Sequence, residues 1–135
     1  MKKYNVIMVF TPDYRQILMC RRRKDPYKGL LNLVGGKIEE GEDSLPAAYR
    51  ELYEETSITK QDIELHHFMD ISYHFSGFIL EVYAGRLNKI REPAGDENEL
   101  IWVDSDSNFF DTEVFAGNGN IGHMLELLKP HLAAL

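Results

Sequence analysis

Three glutamates carry the clearest chemistry in this chain: Glu51, Glu54 and Glu55 stand at i, i+3 and i+4. On a helix, which turns about 100° per residue, those spacings gather all three carboxylates on one sector. Leu45, Ala48, Tyr49, Leu52 and Thr56 fall on the adjoining sector, so one face is suited to burial while the other presents negative charge. Like charges at these spacings repel by a few tenths of a kcal/mol per pair, and a divalent cation would reverse the sign of that interaction. Oxygen-only donors suit a hard ion, Mg2+ first and Mn2+ second. A solvated acidic helix face is the competing reading of the glutamates alone. The residues upstream favour the metal site. Gly35-Gly36 lets backbone carbonyls approach an ion without an intervening Cβ. Lys37 follows as a candidate substrate contact, and Glu42 and Arg50 are candidates for an ion pair tying the loop to the helix.

The elements that must position these groups follow from local pattern. Residues 44–56 form the clearest helix, with Asp43 as candidate N-cap and Pro46 in the first turn, where its missing N–H does no harm. Residues 4–10 and 15–22 read as strands around Thr11-Pro12-Asp13, and 24–30 as a surface loop. A short apolar stretch, 31–34, ends at Gly35-Gly36. Residues 63–73 and 78–87 read as paired strands around Ser76-Gly77, and 100–103 as a further strand. Residues 104–120 read as irregular, and 121–133 as an amphipathic helix with Ile121, Met124, Leu125, Leu128 and Leu132 on one side.

The 135 residues, 44% of them hydrophobic, suffice for one domain with its own core, of α+β class and covering residues 1–135. A single cysteine, Cys20, excludes an internal disulfide framework. The N-terminal apolar run is too short for a membrane span and lacks a cleavage site, so the expected location is cytoplasmic. The net charge of −7 argues against non-specific nucleic-acid or anionic-membrane binding, but not against a small phosphate substrate bridged by cations.

From Gly36, five residues lead to Glu42 and seven more to Arg50, followed by Glu51-Leu52-Tyr53-Glu54-Glu55-Thr56-Ser57-Ile58. This resembles the Nudix box, Gly-x5-Glu-x7-Arg-Glu-U-x-Glu-Glu-x-Gly-U with U a bulky aliphatic. Eight of nine defined positions match over 23 residues, which makes coincidence a poor explanation. The departure is Ser57, where the family has glycine. That residue ends the helix in the left-handed region, which serine adopts at a cost of roughly 1 kcal/mol.

The resemblance implies an α/β/α sandwich with a mixed β-sheet and a catalytic loop–helix–loop. It implies a nucleotide diphosphate linkage as the target, and a nucleoside triphosphate cleaved to monophosphate and pyrophosphate as the first reading. Carried over by position, Glu54 and Glu55 are metal ligands beside the Gly35 carbonyl. Glu51 is a further ligand or the base for the attacking water, and Arg50 orients Glu51. Gly36 and Glu42 are structural. Family members often recruit another loop acid; Asp96, Glu97 and Glu99 are the candidates, with Glu97 favoured. By strand alternation either Arg22 or the Arg21/Arg23 pair can reach a phosphate, and likeness to nucleotide-cleaving members favours Arg22 as the candidate phosphate contact. Likeness to the MutT branch and the oxidised-purine triphosphatases makes Asn32, Phe115 and Asn118 candidate base contacts. The paired acids of the animal enzymes' base pocket have no match here, and Tyr73 stands where ADP-ribose-cleaving members often have proline. Other diphosphates (a sugar nucleotide, a dinucleoside polyphosphate or a capped RNA 5′ end, the last disfavoured by the acidic balance), a non-catalytic nucleotide sensor and a plain acidic α+β interaction domain are the alternatives.

Overall fold

The computed structural model describes residues 1–135. Its centre is one six-stranded sheet in the order β4-β5-β1-β3-β2-β6. The strands are β1 (Lys2–Phe10), β2 (Gln16–Arg21), β3 (Leu31–Lys37), β4 (His66–Tyr73), β5 (Phe78–Arg86) and β6 (Glu99–Asp104). β1 runs parallel to β5, and the other neighbours are antiparallel. Period-2 alternation then sends side chains to two cores. Ile7, Val9, Leu18, Cys20, Val34 and Tyr83 pack with Ala48 and Leu52 of helix α1 (Ser44–Thr56). Met8, Phe10, Met19, Leu33 and Val82 pack with Ile121, Met124, Leu125 and Leu128 of helix α2 (Asn120–Leu128). This is the expected α/β/α sandwich.

Three local differences from the sequence reading are present, the first two with plain physical causes. β3 does not stop at Gly35-Gly36 but runs to Lys37, pairing with Tyr4–Ile7. Only glycine permits this at 35, because its φ is +149° and a Cβ there would collide with the Asn5 carbonyl. Helix α2 ends at Leu128 and gives way to a 3-10 segment, Lys129–Ala134, since Pro130 lacks the N–H and its ring crowds the preceding turn. Leu45, expected on the buried face of α1, is exposed, while Ala47, Ala48, Leu52 and Thr56 are buried.

The N-terminus of α1 is held from beneath. Asp43 occupies the N-cap position, but its side chain makes no capping bond. Instead Ser44 Oγ donates to Glu81 Oε2 (3.0 Å), and Tyr83 OH donates to Glu81 Oε1 (2.8 Å). Glu81 is buried in β5 and Tyr83 fully so. Glu81→Leu leaves both hydroxyls without an acceptor, one of them inside the core. A loss of about 2–4 kcal/mol is expected, read as a lower denaturant midpoint with unchanged m-value.

Candidate active site

Helix α1 lies against the sheet so that its acids meet β3 at the glycines. At about 100° per residue, Glu51 and Glu55 fall between Ala47 and Ala48, inside the sheet-facing arc, whereas Glu54 falls outside it. The Glu51 side chain is accordingly only 13% exposed and that of Glu54 58%. Gly35 N–H donates to Glu55 Oε2 (3.2 Å). Glu51 fills the space a side chain at Gly36 would need, for a Cβ there would lie 2.5 Å from its carboxylate.

Arg50 organises the rest. Its Nε and Nη2 grip Glu42 at 2.6 and 2.8 Å, Nη2 also reaches the Lys37 carbonyl (3.2 Å), and Nη1 reaches Glu51 (3.1 Å) and Glu54 (3.2 Å). The Glu42–Arg50 tie expected from spacing is therefore present, and Arg50 does contact Glu51. No three carboxylates converge on one ion-sized point, and Nη1 is bonded to both Glu51 and Glu54. The donor chemistry still fits a hard cation, with only oxygens and carboxylates crowded enough to repel. Burial, with Glu51, Glu97 and Glu54 nearby, pushes the Glu55 carboxyl up to about 7 against the Gly35 N–H that lowers it. Burial also raises Glu51, opposed by Arg50. Glu42 is drawn down to about 2, chiefly by its bond from Arg50.

These shifts set the pH behaviour. With a folded pKa of about 7 against an ordinary 4.5, the folded chain keeps a proton on Glu55 that the unfolded chain releases. Metal-free stability should therefore decline as pH rises from 4.5 to about 7. The Glu42 contribution has the opposite sign, but it is lost only below 4.5, toward about 2. A cation that displaces the Glu55 proton should bind more tightly as pH rises through the same window. Metal-free and Mg2+-saturated melting temperatures compared from about pH 5 to about pH 8 should diverge steadily.

Of the three loop acids, Glu99 pairs with Arg21 (3.5 Å) and Asp96 offers its carbonyl to Arg23 (3.3 Å). Glu97 is the one whose charge raises Glu55.

Beside the glutamates opens a cleft of about 470 Å3. Arg22, Asn32, Gly35, Gly36, Glu55 and Asn118 line it, bringing together much of the expected set. Arg22 Nε donates to the Pro26 carbonyl (2.6 Å), Asn32 Oδ1 accepts from Leu33 N–H (2.9 Å), and Asn118 Nδ2 donates to Tyr27 OH (3.1 Å). Two of the expected contacts do not line the cleft. Phe115 is buried and packed against Phe109, because residues 114–116 hydrogen-bond to Leu31 at the edge of β3 and turn the ring into the core. Lys37 lies outside the lining; it ends β3 with its side chain exposed and offers only its carbonyl, to Arg50.

The cleft also contains Tyr73, Phe78 and Asn5, to which the sequence reading assigned no contact. Tyr73 stacks on Phe78 with centroids 4.5 Å apart, and its hydroxyl meets Asn120 Nδ2. Asn5 is buried, with Oδ1 accepting from Gly36 N–H (3.0 Å) and Nδ2 unpartnered. An asparagine mid-strand among apolar neighbours was the available signal for Asn5.

An acid-bearing loop–helix–loop laid across a mixed sheet, with helices on both faces, defines a recognisable class. The chain belongs to the Nudix family: the family model for the NUDIX domain matches residues 1–121. It is 38% identical over 103 residues to an RNA pyrophosphohydrolase of Pelagibacter ubique, covering 70% of this chain and 63% of that protein. It is 30% identical over 97 residues to a methanol dehydrogenase activator of Bacillus methanolicus, covering 70% and 52%. The chain thus spans between half and two thirds of these relatives' length. Among solved structures it is similar to a C. elegans Ap4A hydrolase binary complex, with TM-score 0.78 and 18% identity over the whole of both chains, a likeness of fold. No helix is long and apolar enough to cross a membrane.

Proposed function

We propose that this chain is a divalent-cation-dependent pyrophosphohydrolase that cleaves a nucleoside triphosphate, preferentially a purine one, to monophosphate and pyrophosphate. The observation that carries this reading is the continuity of the site. The half-buried Glu55 lines a cleft that also carries the aromatic rings of Tyr73 and Phe78 and the amides of Asn32, Asn118 and Asn120. Charged phosphates and a flat polar-edged base need those two environments side by side.

Glu54, Glu55 and Glu97 would hold the cation, Mg2+ or Mn2+, with Glu51 and the Gly35 carbonyl as further donors. When bound, the cation lowers the pKa of water and neutralises phosphate oxygens. Glu51, oriented by Arg50, takes the proton of the attacking water or completes the ligand set. Water adds to phosphorus, the anhydride P–O bond breaks, and its electron pair leaves on the departing phosphate oxygen. Arg22 lies along the cleft to offset phosphate charge. Asn32, Asn118 and Asn120 offer amide edges to a base, and Tyr73 on Phe78 offers a ring face.

A second reading comes from the RNA pyrophosphohydrolase relative: the triphosphate stands on an RNA 5′ end. Arg22 in the cleft lining, with Arg21 and Arg23 next to it in the sequence, favours it, and the net charge of −7 opposes it. The test is kcat/KM with Mg2+ across purine, oxidised-purine and pyrimidine triphosphates, a sugar nucleotide, a dinucleoside polyphosphate and a 5′-triphosphorylated oligonucleotide. Purine triphosphates should lead by about tenfold or more, and that lead should shrink in Asn120→Ala. A lead for the oligonucleotide would replace the first reading with the second, and nucleotide binding without turnover on any substrate would point to a sensor.

A further inference from the structure

Ser57 is costly where it stands. It follows the last residue of α1 in the left-handed region (φ 65°, ψ 7°), its N–H bonded to the Tyr53 carbonyl at 2.8 Å, and glycine would adopt this conformation without steric penalty. What the serine adds is a hydroxyl, which donates to the Ala94 carbonyl at 2.8 Å. Ala94 N–H returns a bond to the Thr56 carbonyl at 2.9 Å. Next in the chain, Gly95 lies so close to the Glu55 carbonyl that any Cβ would overlap it. Arg91 braces the same junction, donating to the Ser57 carbonyl at 2.7 Å and to Asp62 at 2.8 Å. Residues 91–95 are therefore strapped to the very turn that carries Glu54 and Glu55. On the far side the chain is caught again, through Arg23 on the Asp96 carbonyl and the pairing of Glu99 with Arg21 across β6 and β2. Glu97 stands between the two anchorages, and it makes no hydrogen bond of its own to hold its place.

We propose that Ser57 is a positioning residue whose hydroxyl, through Ala94 and Gly95, holds the Glu97 loop against the end of α1 and so brings Glu97 to the cation held by Glu54 and Glu55. The proposal rests on the reading of those glutamates as cation ligands. It gives the serine a role that glycine, despite its easier backbone, cannot fill.

The test is Mn2+ binding to the substrate-free protein, followed by the spin signal of free Mn2+, for wild type, Ser57→Gly, Glu97→Gln and the double variant. Ser57→Gly should bind Mn2+ about tenfold more weakly while its melting temperature stays level or rises, because the helix end is relieved of strain. A merely structural serine would move the melting temperature instead. In the Glu97→Gln background, Ser57→Gly should cause no further loss, since the group it positions is gone. Ser57→Ala, which keeps the strained backbone and lacks the hydroxyl, should match Ser57→Gly in Mn2+ affinity. Wild-type affinity in Ser57→Gly with a loss in Glu97→Gln would overturn the role of Ser57 and leave Glu97 as a ligand. Full additivity in the double variant would overturn it as well. Unchanged affinity in Glu97→Gln would overturn the proposal together with the placing of Glu97, while Glu55→Gln in the same titration reports independently on the glutamate helix.

Discussion

Glu55→Gln is expected to lower kcat by about 10²- to 10⁴-fold, with nucleotide affinity in the absence of metal little changed. The substitution keeps the shape of the side chain and a carbonyl to accept from Gly35 N–H, but it removes the charge. The physical consequences should diverge. Burial and three neighbouring carboxylates make the ionised Glu55 unfavourable in the metal-free fold, with its pKa at about 7. A neutral amide escapes that penalty, so the metal-free variant should melt at the same temperature as wild type or higher above neutral pH. Loss of activity with a gain in stability is the signature of a group retained for function. Parallel losses of both would mark Glu55 as structural. Glu54→Gln should share the activity loss with a smaller thermal effect, because its side chain is 58% exposed.

Arg50→Lys is expected to be nearly as damaging as Arg50→Ala. The guanidinium uses its planar fork to hold Glu42 through two nitrogens while Nη1 holds Glu51 and Glu54. A lysine ammonium cannot span those directions. Removing Arg50 leaves Glu51, largely buried, with no cation beside it, and frees the loop from Lys37 to Glu42. Allowing for solvent screening of a partly exposed network, a loss of about 1–2 kcal/mol is expected, with kcat down about 10²-fold through misplacement of Glu51. Thermal unfolding and single-turnover rates check the two parts. A large fall in melting temperature with normal turnover of the folded fraction would confine Arg50 to stability.

The helix and its acids were legible in the sequence because everything needed lies within one contiguous stretch: helical spacing, the glycine pair and the Glu42–Arg50 interval are local. The cleft was only partly legible because its walls come from distant segments. Tyr73 and Phe78 meet across β4 and β5, while Asn120 arrives from the start of α2. Phe115 shows how tertiary pairing overrides a positional reading, since two hydrogen bonds to Leu31 decide which way its ring points. The contacts that hold Asp96 and Glu99, on Arg23 and Arg21, likewise come from a distant strand and are not visible in local spacing. Pro130 did carry a local signal for the end of α2, and the apolar spacing extending to Leu132 concealed it.

Cation-dependent triphosphate cleavage is tested most directly by pyrophosphate release from a saturating purine nucleoside triphosphate, followed with Mg2+ and after chelation. Steady turnover to equimolar nucleoside monophosphate and pyrophosphate is expected with Mg2+, and none of either after chelation. Nucleotide bound at the cleft but intact at every Mg2+ and Mn2+ concentration would contradict it.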